Sequence, residues 1–270
     1  MAPAIMLHGQ DPHVVGAGPI AMTKLPAWRL ARHAYLDVLG NLQGLLRVGG
    51  LWLVLSWALM MLGHSVPLLG TAADLAVALG AAAVAVAWHR RLLANDPLTA
   101  RMAPIDRRVI RYFALSLMLA FLVGILPLVA LFATMGVGEG EEFSPGFGIL
   151  LAPVLMIVCI YVAMRLQLVF PATAIDDRAI TPAGSWRITH GNGWRLVLGF
   201  FLATLPVAIA ALALAFLLAW AAEASGSIAL TALADLAAVG NAWLQAPLIA
   251  SFLSFAYLFF RQEAGGGTAS

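Results

Sequence analysis

Residues 161–195 read YVAMRLQLVFPATAIDDRAITPAGSWRITHGNGWR. The stretch leaves one long apolar run and keeps Arg165 and Gln167 inside that run's last turns. It passes a short polar loop, then enters a second apolar run behind Trp194-Arg195. It is the longest part of the chain composed for something other than filling a bilayer. The sequence on either side repeats its plan, with apolar runs of bilayer length joined by short polar loops.

Composition supports that plan. The 270 residues are 62% hydrophobic and 10% charged, with mean hydropathy +0.93. Soluble domains carry about 25% charged residues. So little charge cannot cover a water-facing surface, so lipid must solvate much of the chain. The one cysteine, Cys159, lies in an apolar run, which leaves no disulfide framework and no cysteine metal site. The 14 Arg and Lys24 are scattered, so no nucleic-acid patch is indicated.

Six runs reach the roughly 20 apolar residues needed to cross about 30 Å of hydrocarbon. They are 48–69, 71–93, 112–136, 147–170, 196–220 and 241–260. The sixth is the least regular. Residues 227–260 are too long for one crossing and Gly240-Asn241 interrupts them, so 228–239 reads as an interfacial or re-entrant helix. Ahead of the first run, residues 28–47 place Trp28, Tyr35, Leu42 and Leu46 near helical spacing with Arg29, Arg32, His33 and Asp37 between. That is a basic amphipathic helix suited to a membrane interface. The expected class is all-α, a polytopic integral membrane protein with six transmembrane helices as three hairpins plus interfacial amphipathic helices. Residues 1–26 are expected to be a disordered cytoplasmic tail, 27–262 the transmembrane domain and 263–270 a flexible tail. The tail holds no basic n-region, so no cleaved signal peptide is expected. Its Val14–Ala21 segment fits G-x-G-x-x-A but lacks the preceding strand and βαβ unit that cofactor binding requires.

Orientation follows from charge. With both termini inside, all 15 Lys and Arg fall on one side. The three outer loops carry only Asp74, Glu139, Glu141, Glu142, Glu223 and Asp235. The positive-inside rule then places both termini in the cytoplasm. Trp88, Tyr112, Trp194 and Tyr257 are expected as anchors at inner ends, and Trp220 at an outer end. Pro67, Pro127 and Pro206 each follow an inner Arg by 19 or 20 residues, near the outer ends of spans one, three and five. A threefold hairpin repeat and generic hairpin composition account for this equally well.

No H-E-x-x-H, G-x-S-x-G or P-loop pattern is present, and the six His are dispersed. No catalytic residue, cofactor or metal is expected. His89 and His190 read as solvated or hydrogen-bonded histidines of basic inner loops. The neighbouring Asp176-Asp177 suit capping or pairing with Arg178. Arg165 is the most telling charge, because an Arg inside an apolar run is costly and marks function by default. Its place near the inner end favours snorkelling to the headgroups. The alternative has Arg165 and Gln167 facing the bundle and binding an anionic group or a partner helix. Pro171 should end or kink the fourth span. Thr181-Pro182 should start a short helix as N-cap and N1, carrying Trp186 and Arg187 along the surface. Gly191-Asn192-Gly193 should break it, and Trp194-Arg195 should anchor the fifth span.

The elbow pattern R-L-x-L-x-x-P-A-x-A followed by S-W-R-I-T-H-G-N-G-W-R resembles the bacterial YciC-like group and the membrane domain found beside glycerophosphodiester phosphodiesterases. The matching residues are Arg165, Leu166, Pro171, Ala172, Ala174, Trp186, Arg187, Thr189, Gly191, Asn192, Trp194 and Arg195. Trp88–Leu93 also looks similar to such proteins. The resemblance covers about residues 28–262. It implies a six-helix membrane domain and no catalytic residues, since the phosphodiesterase activity belongs to a separate soluble barrel. The functional expectation is a non-enzymatic inner-membrane protein supporting transport, lipid handling or envelope homeostasis. A small-solute or lipid transporter or channel is one alternative. An accessory subunit is another, packing through Ala76, Gly80, Ala83 and Ala87. Expected partners are membrane lipids and a protein partner or second copy, with no nucleic acid.

Overall fold

The computed structural model describes residues 24–129 and 145–266. The Val14–Ala21 motif, the acidic residues Glu139, Glu141 and Glu142, and the end of the third span lie outside the described residues. The chain is all-α. Its helices are α1 (Ala27–Gly40), α2 (Leu42–Gly63), α3 (Pro67–Ala94), α4 (Arg107–Ala120), α5 (Pro145–Leu166), α6 (Val169–Ala174), α7 (Pro182–Ile188), α8 (Gly193–Ser225) and α9 (Ile228–Gly266). A π-helical turn, Phe121–Ile125, carries α4 on to Val129 one turn before and through Pro127, whose missing N–H cannot continue the ordinary ladder. Six helical segments are long and apolar enough to cross a membrane, with α5 and α6 sharing one of them. This is a multi-pass membrane protein.

Lipid is as apolar as leucine, so helices in it associate through close packing and hydrogen bonds. Helix α9 is the axis and packs on α8, α3, α1, α2 and α6. Its Trp243 lies against two glycines: a Cβ on Gly80 would come within 2.8 Å of the ring, and one on Gly49 within 3.1 Å. Trp52 covers Gly80 from the other side, and Ala83 is buried as well. The small-residue face of α3 is thus filled at Gly80 by this chain's own tryptophans, and its Ala83 is buried within the chain.

Several boundaries differ from the sequence reading. The amphipathic helix ends at Gly40 rather than Arg47, because the Asn41 side chain donates to the Asp37 carbonyl at 2.7 Å and turns the backbone out of the helix. Residues 42–47 join the first crossing, which ends at Gly63. A Cβ on Gly63 would sit 2.7 Å from the Gly70 backbone, so the hairpin is tight, and Pro67 opens α3 instead of closing α2. Pro127 follows a π turn and Pro206 lies well inside α8, so the three prolines occupy unlike places. Helix α9 runs 39 residues without a break at Gly240-Asn241. One glycine costs a helix about 1 kcal/mol, and packing on α8 along its length outweighs that. Trp194 and Trp220 are exposed as interfacial anchors would be. Trp88, Tyr112 and Tyr257 are buried; Trp88 and Tyr112 spend their polar atoms inside the bundle, while the Tyr257 hydroxyl donates to Asp177 in the loop at the basic end.

Candidate functional site

The elbow folds as its residue types dictate. The Thr181 hydroxyl accepts from the Gly184 N–H at 3.1 Å, capping α7 with Pro182 at its first position. Gly191 takes φ +74°, the left-handed region that suits glycine, and reverses the chain. Gly193 then opens α8 against Tyr161, whose ring would lie 2.5 Å from any Cβ there. The break in the fourth span falls at residues 167–168, where Pro171 withholds the N–H that Gln167 would otherwise accept.

Arg165 does not snorkel. It is 5% exposed and turned toward α7. Its Nε donates to Thr189 Oγ1 at 3.2 Å, its Nη2 donates to the Trp186 carbonyl, and its guanidinium lies 3.7 Å from the centre of the Trp186 ring. Its own carbonyl accepts from Ser185 Oγ at 2.6 Å. Among the described residues no carboxylate pairs with it. The bundle-facing alternative fails for Arg165, since both its hydrogen-bond partners and its stacking partner Trp186 come from the elbow, whereas Gln167 does face a hollow between the helices. Arg165, Trp186 and Thr189 form one clasp that pins α7 to the end of α5.

The other predicted residues separate. Asn192 Oδ1 accepts the Leu25 N–H at 2.8 Å and Arg195 Nη1 donates to the Leu25 carbonyl at 3.1 Å, so the elbow holds both backbone groups just ahead of α1. Trp194 packs on Tyr161 with ring centroids 5.0 Å apart. Arg187 is exposed. Pro171 is buried within α6. Gln167 turns away from the clasp, and its Oε1 is buried without a partner.

Asp176 and Asp177 do not pair with Arg178. Asp176, at φ +55°, accepts from Arg108 Nε at 2.5 Å. Asp177 accepts from the Ala179 N–H at 2.9 Å, from the Tyr257 hydroxyl, and lies 3.6 Å from Arg261. Partial burial pushes the Asp177 carboxyl up, but these three partners outweigh it and hold it below the usual carboxylate range. A depressed folded pKa adds stability that is present above the unfolded value of ~3.9 and lost as pH falls through the folded one. Asp177→Asn should therefore lose roughly 1 kcal/mol at neutral pH. It should also flatten the decline of Tm in acid; melting curves of both proteins from neutral pH down to about pH 3 check this.

The sequence reading passed over Asp37. Its Oδ2 accepts from Trp88 Nε1 at 2.9 Å, from Ser251 Oγ at 2.7 Å and from Arg91. One carboxylate thereby ties α1 to α3 and α9. The available signal was a lone acid on a helix that otherwise carries Arg29, Arg32 and His33. His89 takes the hydrogen-bonded alternative, but within α3 rather than in a loop. It is fully buried, with Nδ1 2.8 Å from Ser254 Oγ.

Two lateral hollows flank these clasps. A groove of about 700 Å³ lies between α1, α8 and α9. Arg32 and Tyr35 line its α1 side, Leu202 to Leu214 run along α8, and Gly240 stands open on α9. The Tyr35 hydroxyl is buried without a partner, and burial pushes its pKa up. A cavity of about 530 Å³ lies between α3, α4, α6 and α9, with Gln167 and Tyr112 among its walls. Among the described residues no cluster of three or more His, Cys, Asp or Glu could hold a metal ion. The chain matches no family model, no curated protein and no solved structure.

Proposed function

We propose that this chain is a non-enzymatic protein of the bacterial cytoplasmic membrane that handles lipid, with its basic end and both termini in the cytoplasm. The groove between α1, α8 and α9 carries the reading. It is of ligand size and almost wholly apolar, with Arg32 at its α1 side. From Leu202 to Leu214 the α8 wall rises 12 residues, ~18 Å at 1.5 Å each. One leaflet contributes half of ~30 Å of hydrocarbon, so the groove accommodates one acyl chain, with an anionic headgroup beside Arg32. The elbow's resemblance to the YciC-like group and the phosphodiesterase-associated membrane domain agrees with a lipid setting. The case for an accessory subunit weakens, because Trp52 and Trp243 already occupy Gly80, and Ala83 is buried within the chain.

Gly240→Leu tests this reading. A Cβ on Gly240 would meet nothing within 4 Å, so the substitution enters open space in the groove. Leucine also favours a helix over glycine by up to ~1 kcal/mol. The variant should melt no lower than the wild type, yet lose about tenfold of its co-purifying phospholipid, as expected from displacing two methylenes at ~0.8 kcal/mol each. Mass spectrometry of lipids retained through purification in mild detergent gives the answer. Equal lipid on both proteins would remove the groove as the basis of function.

A further inference from the structure

The second cavity is chemically unlike the groove. No Lys, Arg, Asp or Glu lines it. The polar side chains among its lining residues are Gln167, Ser116 and Tyr112. Gln167 has its backbone engaged, the N–H with Met164 and the carbonyl with Phe170, but its side-chain Oε1 is buried and unpartnered. In a membrane interior an unmet amide costs free energy that water cannot return. Ser116 Oγ donates to the Tyr112 carbonyl at 2.9 Å, which leaves its lone pairs able to accept. The Tyr112 hydroxyl has only a long 3.5 Å contact to His89.

The mouth faces lipid. Ala78 and Leu117 line the cavity and are themselves exposed, on two membrane-crossing helices. Leu117 stands ten residues, ~15 Å, along α4 from Arg107 and Tyr112 stands five, ~8 Å. An occupant would thus enter sideways near mid-bilayer and place its polar group below the basic end. A phosphate at that depth would be buried with no cation beside it, which is prohibitive. A hydroxyl suits the site. It accepts from the amide nitrogen in one orientation of the Gln167 side chain and donates to the amide oxygen in the other, so it serves both.

We propose that this cavity binds a neutral lipid alcohol, an apolar chain bearing one uncharged hydroxyl, admitted laterally from the bilayer and held by Gln167. The proposal is independent of the α1 groove, and Gly240→Leu leaves it untouched.

The full-length chain in phosphatidylcholine nanodiscs is labelled with a diazirine-bearing diacylglycerol. Unlabelled dioleoylglycerol and its 3-O-acetyl derivative, which lacks the hydroxyl, then compete. Labels should fall on α3 and α4 at the cavity walls. Dioleoylglycerol should compete about tenfold better than the acetylated lipid, the worth of one hydrogen bond to a buried amide. Gln167→Leu keeps the bulk and removes the unmet amide, so it should erase that preference while melting at or above the wild-type temperature. Ala78→Trp at the mouth should suppress labelling by both lipids. Labels spread evenly over the lipid-facing helices would overturn the proposal. So would equal competition on the wild type, or a Gln167→Leu protein that melts lower or keeps the preference.

Discussion

Replacing Asp37 with alanine is expected to lower the stability of the folded chain by about 3–5 kcal/mol, the usual cost of removing one partner from a buried charged pair. The carboxylate is 13% exposed at its side chain and Arg91 18%. Arg91 already has a buried, unpartnered Nε and lies over the Trp88 ring at 4.5 Å, so it has little room to find water. Trp88 retains Ser251 as a second acceptor at 2.8 Å, which confines the loss to Arg91 and to the seating of α1. Asp37→Asn keeps an acceptor but drops the charge, and should cost about 1.5–3 kcal/mol, the value of a hydrogen bond to a charged group. Unfolding of the purified variants in detergent gives both numbers. A cycle of Asp37→Asn with Arg91→Gln should show coupling of about 0.5–3 kcal/mol; strictly additive losses would mean that the pair is not what holds α1 down. Because α1 forms one wall of the groove proposed to hold lipid, Asp37→Ala should, on that proposal, also lower co-purifying lipid without any substitution in the groove itself.

That prediction marks where sequence reading stopped. The spans were legible because a bilayer leaves a one-dimensional record, about 20 apolar residues in a row. The elbow was legible locally because Thr181-Pro182 and Gly191 act on their own neighbours. Asp37 meets partners 51, 54 and 214 residues away, and no local pattern encodes such meetings. The same holds for Trp88 and Tyr112, which have the composition of interfacial anchors but lie inside the bundle. Gly240 misled in the opposite sense. Its lack of a side chain suggested a broken helix, whereas in α9 it keeps the wall of the groove open. Hollows lined by alanine and leucine leave no trace in hydropathy, because lipid-facing and cavity-facing apolar residues are the same residues.

Arg165→Ala should cost about 2–4 kcal/mol, from two hydrogen bonds by a charged donor at about 1.5–3 kcal/mol each, less the desolvation that the buried cation no longer bears. The loss should be local. Insertion of the six spans rests on their hydropathy and is unaffected, but α7 loses the group that stacks on Trp186 and bonds Thr189. Arg165→Lys keeps the charge but has neither the planar face for the ring nor the fork that reaches Thr189 and the Trp186 carbonyl together. It should recover less than half of the loss. Trypsin provides a local readout, since Arg187 is exposed on α7 and Arg178 lies in the loop before it. In the alanine variant, cleavage at these two sites should rise at least about tenfold, the factor that 1.4 kcal/mol of local opening allows when opening is rapid. Cleavage and melting both unchanged would show that α7 is held by its cap alone. A faster cut with co-purifying lipid unchanged would separate the two ends of the elbow: Arg165 fastens α7, while Asn192 and Arg195 hold Leu25 and so keep α1 against the groove.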